Sequence, residues 1–368
     1  MKKLVMLAGG GTGGHVYPAI AIARALQKLD SNLEIRFVGS SGGLEEKIVP
    51  REGYPLHLIA GGKLNYSGQI FQKIKTLIKL PFGLLQAMAL LLKYRPAYVL
   101  GVGGYASGPF VLAAAMLRFK TGIWEGNAYP GMANRWLSTL SQQCFLVFGE
   151  AKKYLSARAE TFALGMPVRE EIELAQQSSA VGPLPRLPGK FNILHFGGSQ
   201  GSRAIGRVVC ELLTAGGPSC ENWQVVHQTG SVDFQKFSED YQGCQKQVNV
   251  QEFIFNMPDY YRWADLVICR GGASTLNELA AFGLPAIVIP LAAADGHQVK
   301  NTEELVKGGG AVMILQKDLT AKRLQQEISA IQSQPERRQQ MAKEIKKFYR
   351  PQAALAIAKE IANQISKS

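Results

Sequence analysis

The chain has 368 residues, of which 46% are apolar and 19% are charged. This length is typical of two domains, and the composition excludes a disordered or collagen-like chain. Lysines and arginines number 41 against 28 aspartates and glutamates, a net charge of +13. Such a surplus favours contact with something anionic: a nucleic acid, a phosphate-bearing ligand or a lipid surface.

Cysteine usage and the apolar stretches bear on where the protein works. The five cysteines are odd in number and widely spaced, which favours reduced thiols in a cytoplasmic protein over disulfides or a zinc site. The apolar start of the chain is too short for a signal peptide and is interpreted as a buried first strand. The longer uncharged stretches are too short or too rich in glycine to span a membrane, so no transmembrane helix is predicted.

Short β-branched runs alternate with amphipathic stretches along the whole chain. Continuous apolar runs between helices are typical of parallel strands that are covered on both faces. The strands predicted in the first half are KLVMLA, LEIRFVG, AYVLGVGG and CFLVFG. Those predicted in the second half are FNILHFGG, WQVVHQTG, VNVQEFI, DLVICRGG and PAIVIPL. Helices are predicted over Pro18–Leu29, around Gln69–Tyr94 and over Gly108–Phe119.

The segment Gly182–Lys190 is the predicted domain boundary, because it contains three prolines and has no periodicity. A strand, a glycine turn and a helix follow it in FNILHFGGSQGSR, as they do at the start of the chain in LVMLAGGGTGGH. This repetition predicts an α/β fold of two doubly wound, Rossmann-like domains that face each other across a cleft. Ligands in such folds bind at the carboxyl ends of the strands.

No acidic residue occurs between Glu52 and Glu125, although that span contains eight lysines and arginines. Within it, apolar residues recur at helical spacing between lysines, which is typical of a helix that lies in a membrane interface. An ordinary amphipathic helix packed on its own sheet, with its lysines in water, is equally compatible with the pattern. The candidate membrane contacts are Lys73, Ile74, Lys75, Leu77, Ile78, Lys79 and Phe82. No recognised nucleic-acid module is present, so no nucleic-acid partner is predicted.

The loop Gly9–His15 (GGGTGGH) follows the first strand and opens the first helix. Its glycines let the backbone approach phosphate or sugar oxygens, and the helix N-terminus supplies N–H groups. It matches the dinucleotide fingerprint weakly, and no Lys-Ser/Thr pair follows to make it a P-loop. His15 lies where it could take a proton from a hydroxyl nucleophile, or simply pack against the neighbouring loop.

Three segments of the second half gather polar groups after strands. Gly197–Arg203 offers amides, a hydroxyl and a guanidinium to a diphosphate. In CRGGASTLNE, Glu278 could accept the hydroxyls of a ribose while Ser274 and Thr275 face phosphate; alternatively, the Ser or Thr only caps the helix. The run DGHQ, which ends at Gln298, follows another strand. The absence of D-x-D and H-E-x-x-H argues against a metal-dependent single-domain glycosyltransferase and a zinc hydrolase.

Taken together, these segments resemble the MurG family, the N-acetylglucosaminyltransferases that convert lipid I to lipid II in peptidoglycan synthesis. The resemblance covers nearly the whole chain and includes GGGTGGHVYPAIAIA, VLGVGGYASGP, GGSQGSR, ICRGGASTLNELAAFGLPAIVIPL and DGHQVKN. One departure is that Trp124-Glu125-Gly126-Asn127 replaces the His-Glu-Gln-Asn run of many members.

The resemblance implies a GT-B glycosyltransferase fold. Residues 1–168 would form an N-terminal domain that binds the acceptor and the membrane, residues 169–349 a C-terminal domain that binds the UDP-sugar, and residues 350–368 a helix that returns to the first domain. His15 is the implied catalytic base. The implied or predicted substrate-binding residues are Thr12, Gly13, Gly14, Asn127, Arg169, Ser199, Ile254, Ser274, Thr275, Glu278 and Gln298.

The implied reaction is the inverting transfer of N-acetylglucosamine from UDP-N-acetylglucosamine to the 4-hydroxyl of the muramoyl sugar of undecaprenyl-diphosphate-linked lipid I. No cofactor is expected to be required, with a divalent cation as an optional stimulator. The expected location is the cytoplasmic face of the cell (inner) membrane, as a peripheral protein on anionic lipid, with cell-wall synthesis proteins as further partners. A UDP-sugar transferase with another lipid acceptor and a dinucleotide-binding oxidoreductase are the alternatives.

Overall fold

The computed structural model describes residues 3–61, 70–168, 170–177, 183–198, 200–216, 218–242, 248–292 and 296–367. Residues 70–79, 170, 176, 177, 218 and 219 within these ranges are described by their backbone alone. The chain divides into two compact units. The first comprises Met1–Glu170 and Pro351–Ser368, and the second comprises Glu171–Arg350.

The first unit is built on a parallel sheet of seven strands, in the order β3-β2-β1-β4-β5-β6-β7. Its strands are β1 Leu4–Ala8, β2 Glu34–Ser40, β3 Leu56–Ile59, β4 Tyr98–Gly101, β5 Thr121–Glu125, β6 Gln143–Leu146 and β7 Glu160–Ala163. Its helices are α1 Gly13–Leu29, α2 Glu45–Arg51, α3 Ile70–Tyr94, α4 Ser107–Met116, α5 Met132–Leu137 and, from the end of the chain, α15 Ala353–Ser366.

The second unit is built on a parallel sheet of six strands, in the order β10-β9-β8-β11-β12-β13. Its strands are β8 Phe191–Phe196, β9 Trp223–Gln228, β10 Val248–Gln251, β11 Leu266–Cys269, β12 Ala286–Val288 and β13 Ala311–Met313. Its helices are α6 Glu170–Gln177, α7 Arg203–Thr214, α8 Pro218–Glu221, α9 Phe234–Asp240, α10 Met257–Trp263, α11 Ala273–Phe282, α12 His297–Lys307, α13 Ala321–Ser333 and α14 Pro335–Lys346.

The central strands are buried along their whole length because helices cover both faces of each sheet. All five residues of β1 and all six of β8 are buried, which confirms the prediction of doubly wound parallel sheets. The last helix, α15, packs against α1 of the first unit. Lys120 strengthens this attachment by donating from Nζ to the carbonyl oxygen of Gln364 at 2.5 Å.

All nine strands predicted from the sequence are present, and the three predicted helices differ from the observed ones only at their ends. The first helix begins at Gly13 rather than at Pro18, so Pro18 lies inside it, and α4 runs from Ser107 to Met116 rather than to Phe119. The earlier start of α1 places His15 in its first turn. Four strands were not predicted: β3, β5, β7 and β13.

Candidate active site

Each sheet has a point at which its strand order reverses, between β1 and β4 in the first unit and between β8 and β11 in the second. Open α/β sheets bind ligands at this point, beyond the carboxyl ends of the strands. The predicted loop Gly9–His15 follows β1, and Gly197–Arg203 follows β8. Both glycine loops predicted from the sequence therefore lie where a doubly wound sheet places its ligand.

Two glycine segments meet at this edge of the first sheet. Gly10 donates its backbone N–H to the carbonyl oxygen of Gly103 at 3.1 Å. A Cβ on Gly9 would come within 2.3 Å of the same oxygen, and one on Gly104 within 2.3 Å of the carbonyl oxygen of Gly10. The glycines after β1 and β4 are thus required for the two loops to approach each other.

His15 lies on this junction with a defined ring orientation. Its Nδ1 lies 3.1 Å from the carbonyl oxygen of Gly10, and its ring is so close to Gly103 that a Cβ there would come within 2.8 Å of Nε2. A carbonyl oxygen can only accept, so this contact favours the neutral tautomer with the proton on Nδ1 and the lone pair on Nε2. The Thr12 hydroxyl lies 3.4 Å from the same Nδ1 and can also accept from it. The ring therefore packs against the neighbouring loop, as one of the two alternatives predicted. The role of His15 as a base stays a prediction.

A buried carboxylate lies beside this first glycine loop. Glu45, at the start of α2, is 1% exposed and accepts the backbone N–H of Gly11 at 2.6 Å. The Gly11 amide therefore has an anion as its partner already. The groups that the loop can offer a ligand are those that follow, from the exposed hydroxyl-bearing Thr12 to Gly13 and Gly14 in the first turn of α1.

Asn127 is held by a second buried carboxylate, that of Glu125 at the end of β5. Glu125 Oε1 accepts both the backbone N–H of Asn127 at 2.9 Å and its side-chain amide at 3.1 Å. Its Oε2 accepts from the backbone of Gly131 at 3.0 Å and from the side chain of Asn134 at 2.9 Å. One carboxylate thus fixes the whole segment between β5 and α5, and Asn127 stays half-exposed on it.

In the second unit, Arg270 and Gln298 connect the loops that follow β8, β11 and β12. Arg270 donates to the hydroxyl of Ser202 at 2.8 Å and to the carbonyl oxygen of Ile289 at 3.1 Å. Burial lowers the pKa of Arg270 from its usual value. Gln298 Oε1 accepts the backbone N–H groups of Gly271 at 3.2 Å and Leu291 at 2.9 Å. These bonds fix the two loops between which its side chain lies.

The first turn of α11 carries Ser274 and Thr275, and Glu278 follows one turn later. The N-cap of this helix is Gly272, which makes no side-chain cap, so capping by Ser274 or Thr275 was the wrong alternative. Glu278 Oε2 accepts from the hydroxyl of Tyr261 at 2.8 Å. The two hydroxyls and the carboxylate are half-buried on one stretch of helix. Their predicted contacts with phosphate and ribose stay predictions.

Ile254 is 4% exposed, so its side chain belongs to the core and only its backbone could contact a base. The residues on either side differ: Phe253 is 43% exposed and Phe255 is 88% exposed, with ring centroids 4.9 Å apart. Arg169 and Ser199 lie outside the described residues, and their predicted roles near the diphosphate stay predictions.

Helix α3 has one face on the sheet and an apolar stripe on the other. Gly83, Ala87 and Leu91 are buried, and a Cβ on Gly83 would come within 2.1 Å of the carbonyl oxygen of Ala60, which follows β3. The exposed stripe consists of Phe82, Leu85, Ala89 and Leu92, at helical spacings of three and four residues. Of the predicted membrane contacts, Phe82 is thus exposed, and the side chains of the other six, Lys73 to Lys79, lie outside the described part of the chain.

Sequence reasoning missed the residues whose hydrogen bonds hold the site together. These supporting residues are Glu45, Glu125, Tyr261 and Arg270. Each of them hydrogen-bonds to a residue of the predicted site or of its loops, and none was itself predicted as a site residue. The available signal was Glu125, an acidic residue inside an apolar run, which is expected only where a buried carboxylate has several donors.

Metal ligands, thiols and apolar helices bear on other kinds of site. Over the part of the chain that the structure describes, no three His, Cys, Asp or Glu residues come together as metal ligands, and no helix is long and apolar enough to cross a bilayer. Cys144 and Cys269 are buried, and burial raises the pKa of each thiol to about 12. These two thiols are therefore core side chains and not nucleophiles.

Comparison with known proteins identifies the family. The sequence profile of the glycosyltransferase family 28 N-terminal domain matches residues 5–146, and that of the family 28 C-terminal domain matches residues 192–362. The UDP-N-acetylglucosamine–N-acetylmuramyl-(pentapeptide) pyrophosphoryl-undecaprenol N-acetylglucosamine transferase of Bdellovibrio bacteriovorus is 54% identical, over 98% of this chain and 99% of the relative. The chain belongs to glycosyltransferase family 28.

Other family 28 relatives agree. The transferase of the same name from Anaeromyxobacter sp. strain Fw109-5 is 42% identical, over 96% of this chain and 91% of its own. The crystal structure of Acinetobacter baumannii MurG superposes with a TM-score of 0.79 at 26% identity, covering 98% of this chain and 99% of that one. These findings confirm the predicted fold class and the resemblance stated from the motifs.

Proposed function

We propose that this protein transfers N-acetylglucosamine from UDP-N-acetylglucosamine to lipid I, the undecaprenyl-diphosphate-linked muramoyl acceptor, and so forms lipid II for peptidoglycan. The observation that carries the proposal is the 54% identity, over 98% of this chain, to a transferase named for that reaction. The site supports it, because each unit places polar groups at the point where its strand order reverses.

His15 is the proposed base. With its Nδ1–H donated to the carbonyl oxygen of Gly10, its Nε2 is free to take the proton from the 4-hydroxyl of the muramoyl sugar. The oxygen attacks the anomeric carbon of the donor as the bond to UDP breaks, and a single displacement inverts that carbon. Asn127, held by Glu125, is proposed to bind the N-acetylglucosamine.

The second unit is proposed to hold the UDP portion. Glu278 would accept the ribose hydroxyls, while Ser274 and Thr275 in the first turn of α11 donate to phosphate. Arg169 and Ser199 are proposed near the diphosphate on the basis of the sequence resemblance alone. Such donors stabilise the leaving diphosphate electrostatically, so we expect no metal to be required.

We further propose that the enzyme works as a peripheral protein on the cytoplasmic face of the cell membrane. The lipid tail of the acceptor stays in the bilayer, so the enzyme must reach the surface. The support is the stripe of Phe82, Leu85 and Leu92, which are 60%, 63% and 56% exposed. The lysines of the same helix would meet anionic headgroups.

The test is to incubate the protein with labelled UDP-N-acetylglucosamine and a short-chain lipid I analogue, with EDTA in a parallel sample. We expect label on the acceptor with and without the chelator. A diacylglycerol acceptor and nicotinamide cofactors are included, because labelling of the first or binding of the second would instead support the two alternatives. Loss of transfer in EDTA alone would contradict only the metal-independent mechanism.

A further inference from the structure

We infer that Glu45 is a positioning residue for His15 and acts through the peptide group between Gly10 and Gly11. The expected effect on catalysis rests on the proposed function, whereas the hydrogen bonds described next do not depend on it. The N–H of that peptide group belongs to Gly11 and donates to Glu45 Oε2 at 2.6 Å. Its carbonyl oxygen belongs to Gly10 and lies 3.1 Å from His15 Nδ1. A single planar peptide therefore connects the carboxylate to the imidazole.

The carboxylate is fixed from several sides. While Oε2 accepts the Gly11 amide, Oε1 of Glu45 accepts the backbone N–H of Ser40 at 3.1 Å, and the Ser40 hydroxyl lies 3.5 Å from the same oxygen. The residue is 1% exposed, so water does not compete for these bonds. Hydrogen bonds to a carboxylate are stronger than bonds between neutral groups, and more so away from water.

Three glycines leave the space that this side chain occupies. A Cβ on Gly10 would come within 2.1 Å of the carboxyl carbon of Glu45, and one on Gly43 within 2.0 Å of a carboxyl oxygen. A Cβ on Gly39 would come within 2.6 Å of Cγ. Part of the glycine pattern therefore accommodates the Glu45 side chain.

The consequence for His15 is a defined tautomer. A donor bond from the Gly11 N–H to a carboxylate polarises the peptide, which makes the Gly10 carbonyl oxygen a better acceptor. Because that oxygen accepts from Nδ1–H, it stabilises the tautomer with the proton on Nδ1. The lone pair of the neutral ring is then on Nε2, as a base that acts through Nε2 requires. Glu45 would thus orient His15 as the carboxylate of a catalytic triad orients its histidine, except that one peptide group lies between the carboxylate and the imidazole.

The experiment compares Glu45→Gln with Glu46→Gln as a matched control. Glu46 is the next residue on α2 and also accepts a glycine amide, that of Gly42 at 2.9 Å, but its bond does not involve the loop of His15. Imidazole ¹⁵N shifts are recorded above about pH 8, where a histidine of ordinary pKa is neutral. His15→Gln assigns the signal among the five histidines of the chain.

We expect the Nδ1–H tautomer of His15 in the wild type and in Glu46→Gln, and a mixture of tautomers in Glu45→Gln. Turnover with donor and lipid I analogue should fall roughly 10²-fold in Glu45→Gln, as for a misplaced catalytic group, with the donor KM nearly unchanged. An Nε2–H tautomer in the wild type, or an unchanged tautomer in Glu45→Gln, would overturn the inference.

Two further observations keep the test decisive. If Glu45→Gln does not fold, Glu45→Asp retains the charge but is too short to keep the Gly11 and Ser40 contacts together, and we expect it to show the same mixture of tautomers. An unchanged tautomer there overturns the inference. The NMR readout needs no substrate, so absence of transfer to lipid I with the expected tautomers would contradict the proposed function and not the role of Glu45.

Discussion

The indole of Trp124 occupies the space beside Gly126: a Cβ on Gly126 would come within 2.8 Å of the ring. Trp124 is 2% exposed and cannot move away without opening the core. The glutamine that many family members carry at this position therefore does not fit here, and the glycine accompanies the tryptophan. The two differences from the His-Glu-Gln-Asn run are thus one structural change, while Glu125 keeps its bonds to Asn127.

We predict that Gly126→Ala lowers the free energy of unfolding by about 1–3 kcal/mol, the usual cost of overpacking. Gly131→Ala is the matched control, because a Cβ there would meet no atom within 4 Å. Urea unfolding followed by tryptophan fluorescence measures both. Equal stability of the two variants would show that the indole has room to shift.

His15→Ala should reduce turnover roughly 10²–10⁴-fold, the range for a lost general base, and leave donor affinity largely intact. Steady-state kinetics with the lipid I analogue, together with calorimetric titration of UDP, separate the two effects. Unchanged turnover would remove His15 from the mechanism, and proton transfer to an acceptor phosphate would then be the route. A large loss of donor affinity would make it a binding residue.

Glu278→Ala should raise the donor KM with a smaller effect on turnover, because the carboxylate is proposed to bind the ribose and not the reacting atoms. Tyr261→Phe removes the hydroxyl that donates to Glu278 at 2.8 Å, so we expect a smaller rise of the same kind. Competition by UDP against labelled donor measures both. A fall in turnover at constant KM in Glu278→Ala would contradict the assignment.

Phe82→Ser combined with Leu85→Ser should weaken sedimentation with anionic vesicles roughly 10-fold or more, because both side chains lose apolar area that enters the interface. Leu174→Ser is the control, since Leu174 is 60% exposed but lies on α6 of the second unit. Activity on a water-soluble acceptor should stay near normal in all variants. Unchanged sedimentation of the double variant would show that the stripe does not face the membrane.

The lysines of the same helix are tested separately by replacing Lys73, Lys75 and Lys79 with Glu. We expect weaker vesicle binding, and a wild-type interaction that salt weakens, because screening limits such contacts to about 8 Å at physiological ionic strength. Binding equal to that of the parent protein would restore the ordinary amphipathic helix as the better interpretation.

His195 gives the second unit a predictable pH dependence. It is fully buried, its Nδ1 bonds to the carbonyl oxygen of Ile268 at 3.0 Å, and burial lowers its pKa to about 4. An unfolded histidine titrates near 6.5, so between about pH 6.5 and 4 only the unfolded state takes up the proton. The free energy of unfolding should therefore fall by about 3 kcal/mol as the pH drops through that window.

The measurement is urea unfolding at several pH values for the wild type and for His195→Asn. The carboxylates contribute equally to both proteins, so the difference between them reports on His195 together with the His227 ring, whose centroid lies 4.5 Å away. We expect a flatter profile in the variant between about pH 6.5 and 4. Parallel profiles would mean that the buried ring takes up its proton in the folded state at an ordinary pKa.

The sequence predicted the central strands and both glycine loops because their signals are local. A continuous apolar run such as β1 is buried on both faces, and the glycines follow it directly. The missed strands lack that signal: β7 is an edge strand whose four residues are at least partly exposed, and β5 ends in the charged Glu125.

Among the supporting residues, Glu45 could not be predicted from the sequence, for a different reason. Glu45 lies 34 positions from Gly11, and only the pairing of β1 with β2 brings them together. The sequence around a glutamate at a helix start does not distinguish an exposed side chain from a buried one. The place of Ile254 near uracil rests on resemblance alone, and the burial of its side chain leaves only its backbone for such a contact.

The central claim is the transfer itself, and the most direct measurement is the structure of the product. The protein is incubated with UDP-N-acetylglucosamine and a short-chain lipid I analogue, and the product is analysed by mass spectrometry and proton NMR. We predict one added N-acetylhexosamine, joined by a β linkage to the 4-position of the muramoyl sugar, as inversion at the anomeric carbon requires. An unmodified acceptor, or an α-linked product, would contradict the account.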